Sequence, residues 1–210
     1  RGGLKRELTV CLRTGRAMRK PRRQAQVRTS RERIKDMVLI SERPPEVADR
    51  AVPGHWEGDL ILGAANKSAI GTLVERTTRF VMLLHLPDDH GAEAVQRAMV
   101  TAMADLPDFL RRTLTWDQGI EMVNHTQIAE ATGLEIYFCD PASPWQRGTN
   151  ENTNGLLRQY FPKGTNLSFW GPGFLEQVAT ELNNRPRKTL GWRTPAEAPA
   201  KLLSDHDNQP

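Results

Sequence analysis

The sequence is poor in cysteine and has no long apolar run. Cys11 and Cys139 are its two cysteines, and neither has a second Cys or a His at the spacing of a metal-binding motif. This argues against a zinc site or a disulfide framework and is typical of free thiols in a cytosolic protein. No run approaches the about 18 apolar residues of a transmembrane helix, and the first residues lack the apolar stretch of a signal peptide. We therefore expect a cytoplasmic protein with no membrane partner.

The sequence also lacks an initial Met, because its 210 residues begin at Arg1. This is compatible with a fragment or a truncated reading frame. The length accommodates one domain of ordinary size with an appendage. Hydrophobic residues make up 38% and charged residues 26%, which is compatible with a globular core.

Charge is distributed unevenly along the chain. Residues 1–35 hold 13 Lys or Arg and 2 Glu, whereas the remainder holds 16 Lys or Arg and 23 Asp or Glu. Residues 14–35 contain no aromatic side chain and few large apolar ones, so they cannot bury enough surface to fold alone. A basic arm on an acidic body favours a polyanionic partner, nucleic acid first, with a solvated tail as the alternative. Arg22 and Arg23 are the DNA-binding candidates in this arm.

Apolar runs alternate with turn residues along the body of the sequence. Three β-rich runs, at 55–63, 68–78 and 79–87, predict an antiparallel meander. The elements predicted after it are a helix at 92–106, a strand at 112–116, a helix at 121–132 capped by Gly133, a strand at 135–139, a helix containing Glu151 and a helix at 174–183. This order predicts an α/β fold with a five-stranded mixed sheet, three antiparallel strands followed by two parallel ones, flanked by helices.

The helix containing Glu151 carries a small polar face. Thr149 is a plausible N-cap, and steps of three, four and seven from Glu151 reach Asn154, Gly155 and Arg158. The opposite side supplies packing residues: Leu156, Leu157, Tyr160 and Phe161. A face this small and mixed predicts a site.

Two further carboxylates are expected to meet Glu151. Asp59 lies in the first β-rich run and Asp117 directly follows the fourth strand. Strands one and four can be neighbours in a mixed sheet, so the three carboxylates can converge. Oxygen donors without His or Cys suit Mg²⁺ or Mn²⁺. Two such ions can activate a water or a 3′-hydroxyl and stabilise the leaving oxygen of a phosphodiester.

The residues around these carboxylates resemble a known family. Asp59 in GHWEGDLI, Asp117 in TWDQG and Glu151 in RGTNENTNGLLRQYFPKG are similar to the DDE transposase and retroviral integrase superfamily, and specifically to the bacterial insertion-sequence-thirty family. Between Asp117 and Glu151 lie 33 residues, and Arg158 follows Glu151 by seven. The resemblance covers about residues 40–200, including RPRKTLGWRTPAEA.

The resemblance implies a ribonuclease-H-like fold and metal-dependent DNA strand cleavage and transfer. Asp59 and Asp117 would bridge two metal ions and Glu151 would complete one site. The implied partners are element-end DNA, target DNA and further copies of the chain. The implied organisation is a basic arm and linker at 1–50, an integrase-type catalytic core at 51–200 and a polar tail at 201–210. Family members normally carry an N-terminal helix-turn-helix region that binds the element ends, and no such region is evident in this sequence.

Each candidate residue also has a structural interpretation. Asp59 could bond backbone within its strand, Asp117 could cap the next turn, and Glu151 could simply favour the helix dipole. Glu57 shares a strand face with Asp59 and is a candidate supporting group. The remaining candidates for DNA phosphates are equally compatible with surface pairs or ordinary surface charge: Arg158, Lys163, Arg187 and Lys188.

Three functions are therefore open from the sequence. The first is the catalytic region of a transposase that moves an insertion sequence. The second is a truncated, inactive remnant that binds DNA without sequence preference, mainly through the arm. The third is a ribonuclease-H-like nuclease acting on RNA–DNA hybrids.

Overall fold

A mixed sheet forms the centre of the fold. The computed structural model describes residues 34–198. The strands are β1 (Val38–Leu39), β2 (His55–Leu62), β3 (Ala69–Glu75), β4 (Val81–Leu86), β5 (Thr113–Trp116) and β6 (Glu135–Phe138). Their order across the sheet is β1-β6-β5-β2-β3-β4. Strands β2, β3 and β4 form the predicted antiparallel meander, and β5 and β6 extend it in parallel.

The sheet has one strand more than the sequence predicts. Strand β1 pairs in parallel with β6, with Val38 opposite Tyr137 and Leu39 opposite Phe138. The prediction of five strands was therefore wrong by one, because two residues are too short to show the alternation that identifies a strand. The segment before residue 51, predicted to be part of the arm and linker, includes a short helix, and Val47 within it is fully buried.

Five α-helices accompany the sheet in the described residues: α1 (Glu46–Asp49), α2 (Ala92–Ala104), α3 (His125–Thr132), α4 (Gly148–Leu157) and α5 (Pro172–Asn183). Short 3-10 helices occur at Ile40–Glu42, Ala64–Asn66, Asp108–Leu110, Ile120–Met122, Pro144–Arg147 and Lys188–Leu190. Gly133 ends α3 with a φ of 73°, as its predicted C-cap role requires. Within residues 34–198 no helix is long and apolar enough to cross a membrane.

Helices cover both faces of the sheet. On one face, Leu73 and Leu84 pack with Met99 and Met103 of α2. On the other face, side chains of the sheet pack against α4, the turn that follows it and α5. The buried residues of this second cluster include Ile61, Ile70, Leu157, Phe161, Leu175, Val178 and Leu182. Ile70 and Leu73 are separated by an odd number of positions, so they point to opposite faces of β3. All of β3 is buried as a result. Its antiparallel pairing with β2 holds that neighbouring strand in the centre of the sheet.

Candidate active site

Asp59 lies on β2, and Asp117 directly follows β5, the parallel neighbour of β2. Strand β2 pairs with β5 so that Glu57 is opposite Thr115. Continuing this register by two residues places Asp59 beside Asp117, just beyond the last residue of β5. The expected adjacency of the first and fourth predicted strands is therefore present, and it brings the two carboxylates together beyond the carboxyl end of β5.

A close packing contact lies beneath this pair. A Cβ added at Gly58 would lie 2.1 Å from two ring carbons of Trp116, so only glycine fits there. Trp116 is fully buried, and its indole donates to Glu121 Oε1 at 3.1 Å. Since Gly58 precedes Asp59 and Trp116 precedes Asp117, this contact sets the spacing of the two backbones that carry the carboxylates.

Arg147 joins the two carboxylates. Its Nη1 lies 3.2 Å from Asp59 Oδ1, and its Nη2 donates to Asp117 Oδ2 at 3.2 Å. Nη1 also donates to the Gly58 carbonyl at 2.8 Å. The Arg147 side chain is 12% exposed, compared with 30% for Asp59 and 46% for Asp117. Arg147 was not predicted from the sequence, because it ends a Pro-rich 3-10 turn in which no periodicity marks a functional side chain.

The charges in this group influence one another. Burial raises the pKa of the Asp117 carboxyl, and the neighbouring Asp59 charge raises it further, while Arg147 and the Gly119 amide lower it. The result is a pKa above the ordinary value for aspartate. Burial lowers the pKa of the Arg147 guanidinium, but Asp59 and Asp117 together raise it above its ordinary value. Arg147 therefore stays charged and partly offsets the cost of placing two carboxylates side by side.

Helix α4 supplies the remaining contact to Asp59. Asn154 Nδ2 donates to Asp59 Oδ2 at 3.0 Å, and the Leu60 amide donates to Asp59 Oδ1 at 2.9 Å. Glu151 precedes Asn154 by three residues, so the two side chains are neighbours on the helix surface. Glu151 itself is exposed, and its side chain makes no hydrogen bond or ion pair with residues 34–198. In this part of the chain no three His, Cys, Asp or Glu side chains are grouped closely enough to hold a metal.

The start of α4 differs from the prediction. Thr149 is not the N-cap, since the helix already includes Gly148 and Arg147 occupies the cap position without a side-chain cap bond. The preceding 3-10 turn ends at Arg147 and continues directly into α4, so the helix starts earlier in the sequence than predicted. Thr149 instead accepts a hydrogen bond from Arg79 Nη1 at 2.6 Å.

Glu57 supports α4 rather than the carboxylate pair. It is fully buried, and its Oε2 accepts the Asn150 backbone amide at 2.9 Å. Arg76 Nη1 lies 3.5 Å from Glu57 Oε1. Asn150 is also fully buried and donates to the carbonyls of Glu57 at 2.8 Å and Thr72 at 3.2 Å. These bonds fix the first turn of α4 against β2 and β3.

The proposed DNA-binding cations fall into three groups. Arg158 donates to the carbonyls of Leu62 and Phe161, at 3.1 and 3.3 Å, and Arg187 donates to the Leu182 carbonyl at 3.2 Å. Burial lowers the pKa of the Arg158 guanidinium. Lys163 and Lys188 are exposed. Arg22 and Arg23 lie outside the described residues.

Comparisons with known proteins agree on one family. The integrase core domain family matches residues 49–144, a segment that includes Asp59 and Asp117. The chain is 53% identical over 205 residues to the transposase for insertion sequence element IS1086 of Cupriavidus metallidurans, covering 98% of this chain and 60% of that protein. It is 50% identical over 158 residues to transposase InsI for insertion sequence element IS30C of Escherichia coli K12, covering 75% of this chain and 41% of that protein.

More distant proteins share the same core. The transposase for insertion sequence element IS4351 of Bacteroides fragilis is 38% identical over 175 residues, covering 82% of this chain and 52% of that protein. A chain of the simian T-cell lymphotropic virus intasome, solved in complex with PP2A regulatory subunit B56 gamma, superposes with a TM-score of 0.56 at 19% identity. This match covers 70% of the present chain and 54% of the viral chain, and it confirms the ribonuclease-H-like fold.

These matches confirm the family resemblance. The chain spans about half the length of the curated relatives it matches. It belongs to the insertion-sequence-thirty transposases of the DDE superfamily, and the part of them that it contains is built around their integrase core.

Proposed function

We propose that this chain contains the catalytic core of a transposase that cuts one DNA strand at the end of its element and joins the freed 3′-hydroxyl to target DNA. Asp59, Asp117 and Glu151 are the proposed catalytic and metal-binding carboxylates. The observation that carries the proposal is the register of β2 and β5, which places Asp59 and Asp117 side by side beyond the carboxyl end of β5. Glu151 lies on the same helix as Asn154, which contacts Asp59.

The donor set suits Mg²⁺ or Mn²⁺. Carboxylate oxygens are the ligands that these hard cations prefer. Asp117 Oδ1 is shielded from solvent without a well-formed hydrogen bond in the described residues, and a positive guanidinium lies between the two carboxylates. Two ions are proposed, held by Asp59 and Asp117 with Glu151 completing one site. When bound, they supply Lewis-acid activation of the attacking oxygen and stabilise the charge on the leaving oxygen.

The proposed partners are element-end DNA, target DNA and further copies of the chain. Exposed Lys163 and Lys188 remain proposed phosphate contacts, together with Arg22 and Arg23 of the basic arm. Arg158 and Arg187 are weaker candidates, because their guanidinium groups bond backbone carbonyls. Binding through the arm should weaken steeply with salt, since each phosphate contact releases counterions.

The test is strand transfer by the full chain with a labelled duplex that carries the ends of its own element. Asp59→Asn, Asp117→Asn and Glu151→Gln should each reduce Mg²⁺-dependent or Mn²⁺-dependent cleavage and joining by at least about 100-fold. Asp105→Asn and Glu176→Gln are matched controls, because both side chains are exposed and distant in sequence from the site. The controls should retain wild-type activity.

The other outcomes separate the alternatives. Full strand transfer by Asp117→Asn would refute the assignment. Salt-sensitive DNA binding without metal-dependent cleavage would identify an inactive remnant. Hydrolysis of RNA–DNA hybrids with no joined DNA product would identify a nuclease.

A further inference from the structure

We infer that Arg147 is an internal counterion of the Asp59–Asp117 pair, which keeps the pair assembled without metal and must leave it when a divalent cation binds. The inference rests on the proposed function, because it assumes that these carboxylates are metal ligands. It assigns a positioning role to a side chain that lies outside the three acidic motifs.

The first step is the geometry of the bridge. Arg147 uses one terminal nitrogen for each carboxylate, with both distances at 3.2 Å. A third contact, from Nη1 to the Gly58 carbonyl at 2.8 Å, fixes the guanidinium against β2. The side chain is 12% exposed. A charge this shielded from water is retained because it is paired, and here both partners are the proposed ligands.

The second step is the choice of oxygens. Arg147 contacts Asp59 Oδ1 and Asp117 Oδ2, the oxygens through which the two carboxylates meet across a single positive group. Asp59 Oδ2 is bonded by Asn154, which leaves Asp117 Oδ1 as the oxygen of the pair without a well-formed hydrogen bond in the described residues. A cation shared by both carboxylates therefore competes for an Asp59 oxygen that Arg147 or Asn154 now holds.

The third step is electrostatic. A guanidinium and a divalent ion repel each other, and in a partly buried site water screens this repulsion only weakly. Binding a shared metal ion therefore means exchanging one cation for another. The energy of the Arg147 contacts is subtracted from the metal affinity, so removing Arg147 should strengthen metal binding while it weakens the metal-free fold.

The test measures Mn²⁺ binding to the full chain by calorimetry, without DNA. Arg147→Gln should bind Mn²⁺ about tenfold more tightly than the wild type, have a lower melting temperature without metal, and gain more from added Mn²⁺. Arg147→Lys keeps the positive charge but lacks the planar fork of two nitrogens that holds both carboxylates, and it should have an intermediate affinity. It also serves as the second variant if Arg147→Gln does not fold. Arg43→Gln is the matched control, since Arg43 is a partly buried arginine that bonds Thr115 instead of a carboxylate.

The outcomes distinguish this inference from the proposed function. Equal or weaker Mn²⁺ binding by Arg147→Gln and Arg147→Lys, with the wild type binding normally, would overturn the counterion role alone. An equal gain in affinity in Arg43→Gln would also overturn it, because general loss of positive charge would then explain the effect. Mn²⁺ binding that is absent from every variant, or unchanged in Asp117→Asn, would overturn the metal site itself.

Discussion

Two hydrogen bonds join Asn150 and Glu57, one from backbone to side chain and one from side chain to backbone. The Asn150 backbone amide donates to Glu57 Oε2 at 2.9 Å, and the Asn150 side chain donates to the Glu57 carbonyl at 2.8 Å. Both residues are fully buried, and Asn150 also accepts from Thr72 Oγ1 at 3.0 Å. The bonds attach the first turn of the helix with Glu151 to the strand with Asp59.

Replacing Asn150 should therefore loosen both the fold and the site. Asn150→Ala leaves the Glu57 and Thr72 carbonyls without their side-chain donor, and each buried unsatisfied group costs about 1–3 kcal/mol. We expect the free energy of unfolding, measured in urea, to fall by about 2–4 kcal/mol. Asn152→Ala is the control, because Asn152 is exposed on the same helix, and it should change stability by less than about 0.5 kcal/mol. Equal effects of the two variants on stability would show that the buried bonds of Asn150 do not hold α4 against the sheet.

Gly58 should tolerate no side chain. In Gly58→Ala the new methyl would meet the Trp116 ring at 2.1 Å, so the ring or β2 must shift. We expect a loss of about 1–3 kcal/mol in unfolding free energy, together with reduced strand transfer, because Asp59 and Asp117 follow the two clashing residues. Gly173→Ala, at a helical position with nothing within 4 Å, should be neutral or slightly stabilising. A fully stable and active Gly58→Ala would show that the contact does not set the spacing of the pair.

Cys139 should resist thiol reagents in the native protein. Burial raises the pKa of its thiol to about 11, so almost no thiolate exists at neutral pH. Peptide mapping after brief iodoacetamide treatment at pH 7.5 should find Cys139 unmodified in the folded chain and modified after unfolding in guanidinium chloride. Rapid native labelling of the Cys139 peptide would contradict the buried position.

The strands and helices of the core could be predicted wherever an element is long enough to show its period. The meander β2–β4 and helix α2 repeat their apolar pattern over several residues. Strand β1 has only Val38 and Leu39, and its pairing with β6 depends on a tertiary contact that no local pattern records. The capping role predicted for Thr149 failed for a similar reason, because the turn ending at Arg147 continues into the helix.

The site was predictable in its acidic residues but not in its supporting ones. Asp59 and Asp117 follow from strand order, since β2, which carries Asp59, and β5, which Asp117 directly follows, are neighbours in the sheet. Arg147 has no periodic signal in the sequence. Its role depends on the loop after β6, which brings it back to Asp59 and Asp117. The tertiary fold also decides the assignment of Arg158, which uses its guanidinium for two backbone carbonyls.

Asp117 should make metal-free stability depend on pH. Its folded-state pKa is raised, mainly by burial, above the unfolded value of about 3.9. The favourable contribution of Asp117 to the free energy of unfolding is therefore fully present below about pH 3.9. It is lost as the pH rises through the folded-state pKa. At neutral pH the ionised group is less favourable in the folded protein than in the unfolded chain. Asp117→Asn should consequently melt at an equal or higher temperature than the wild type at pH 7 without metal.

This advantage should shrink as the pH falls toward 4, where the wild-type carboxyl becomes protonated in both states. Added Mg²⁺ should stabilise the wild type more than Asp117→Asn, because the substitution removes a proposed ligand charge. Melting curves between pH 4 and 8, with and without Mg²⁺, measure both effects, and Asp105→Asn controls for the loss of an exposed carboxylate. A variant that melts well below the wild type at pH 7 without metal would mean that the bond to Arg147 outweighs burial and the Asp59 charge at this position.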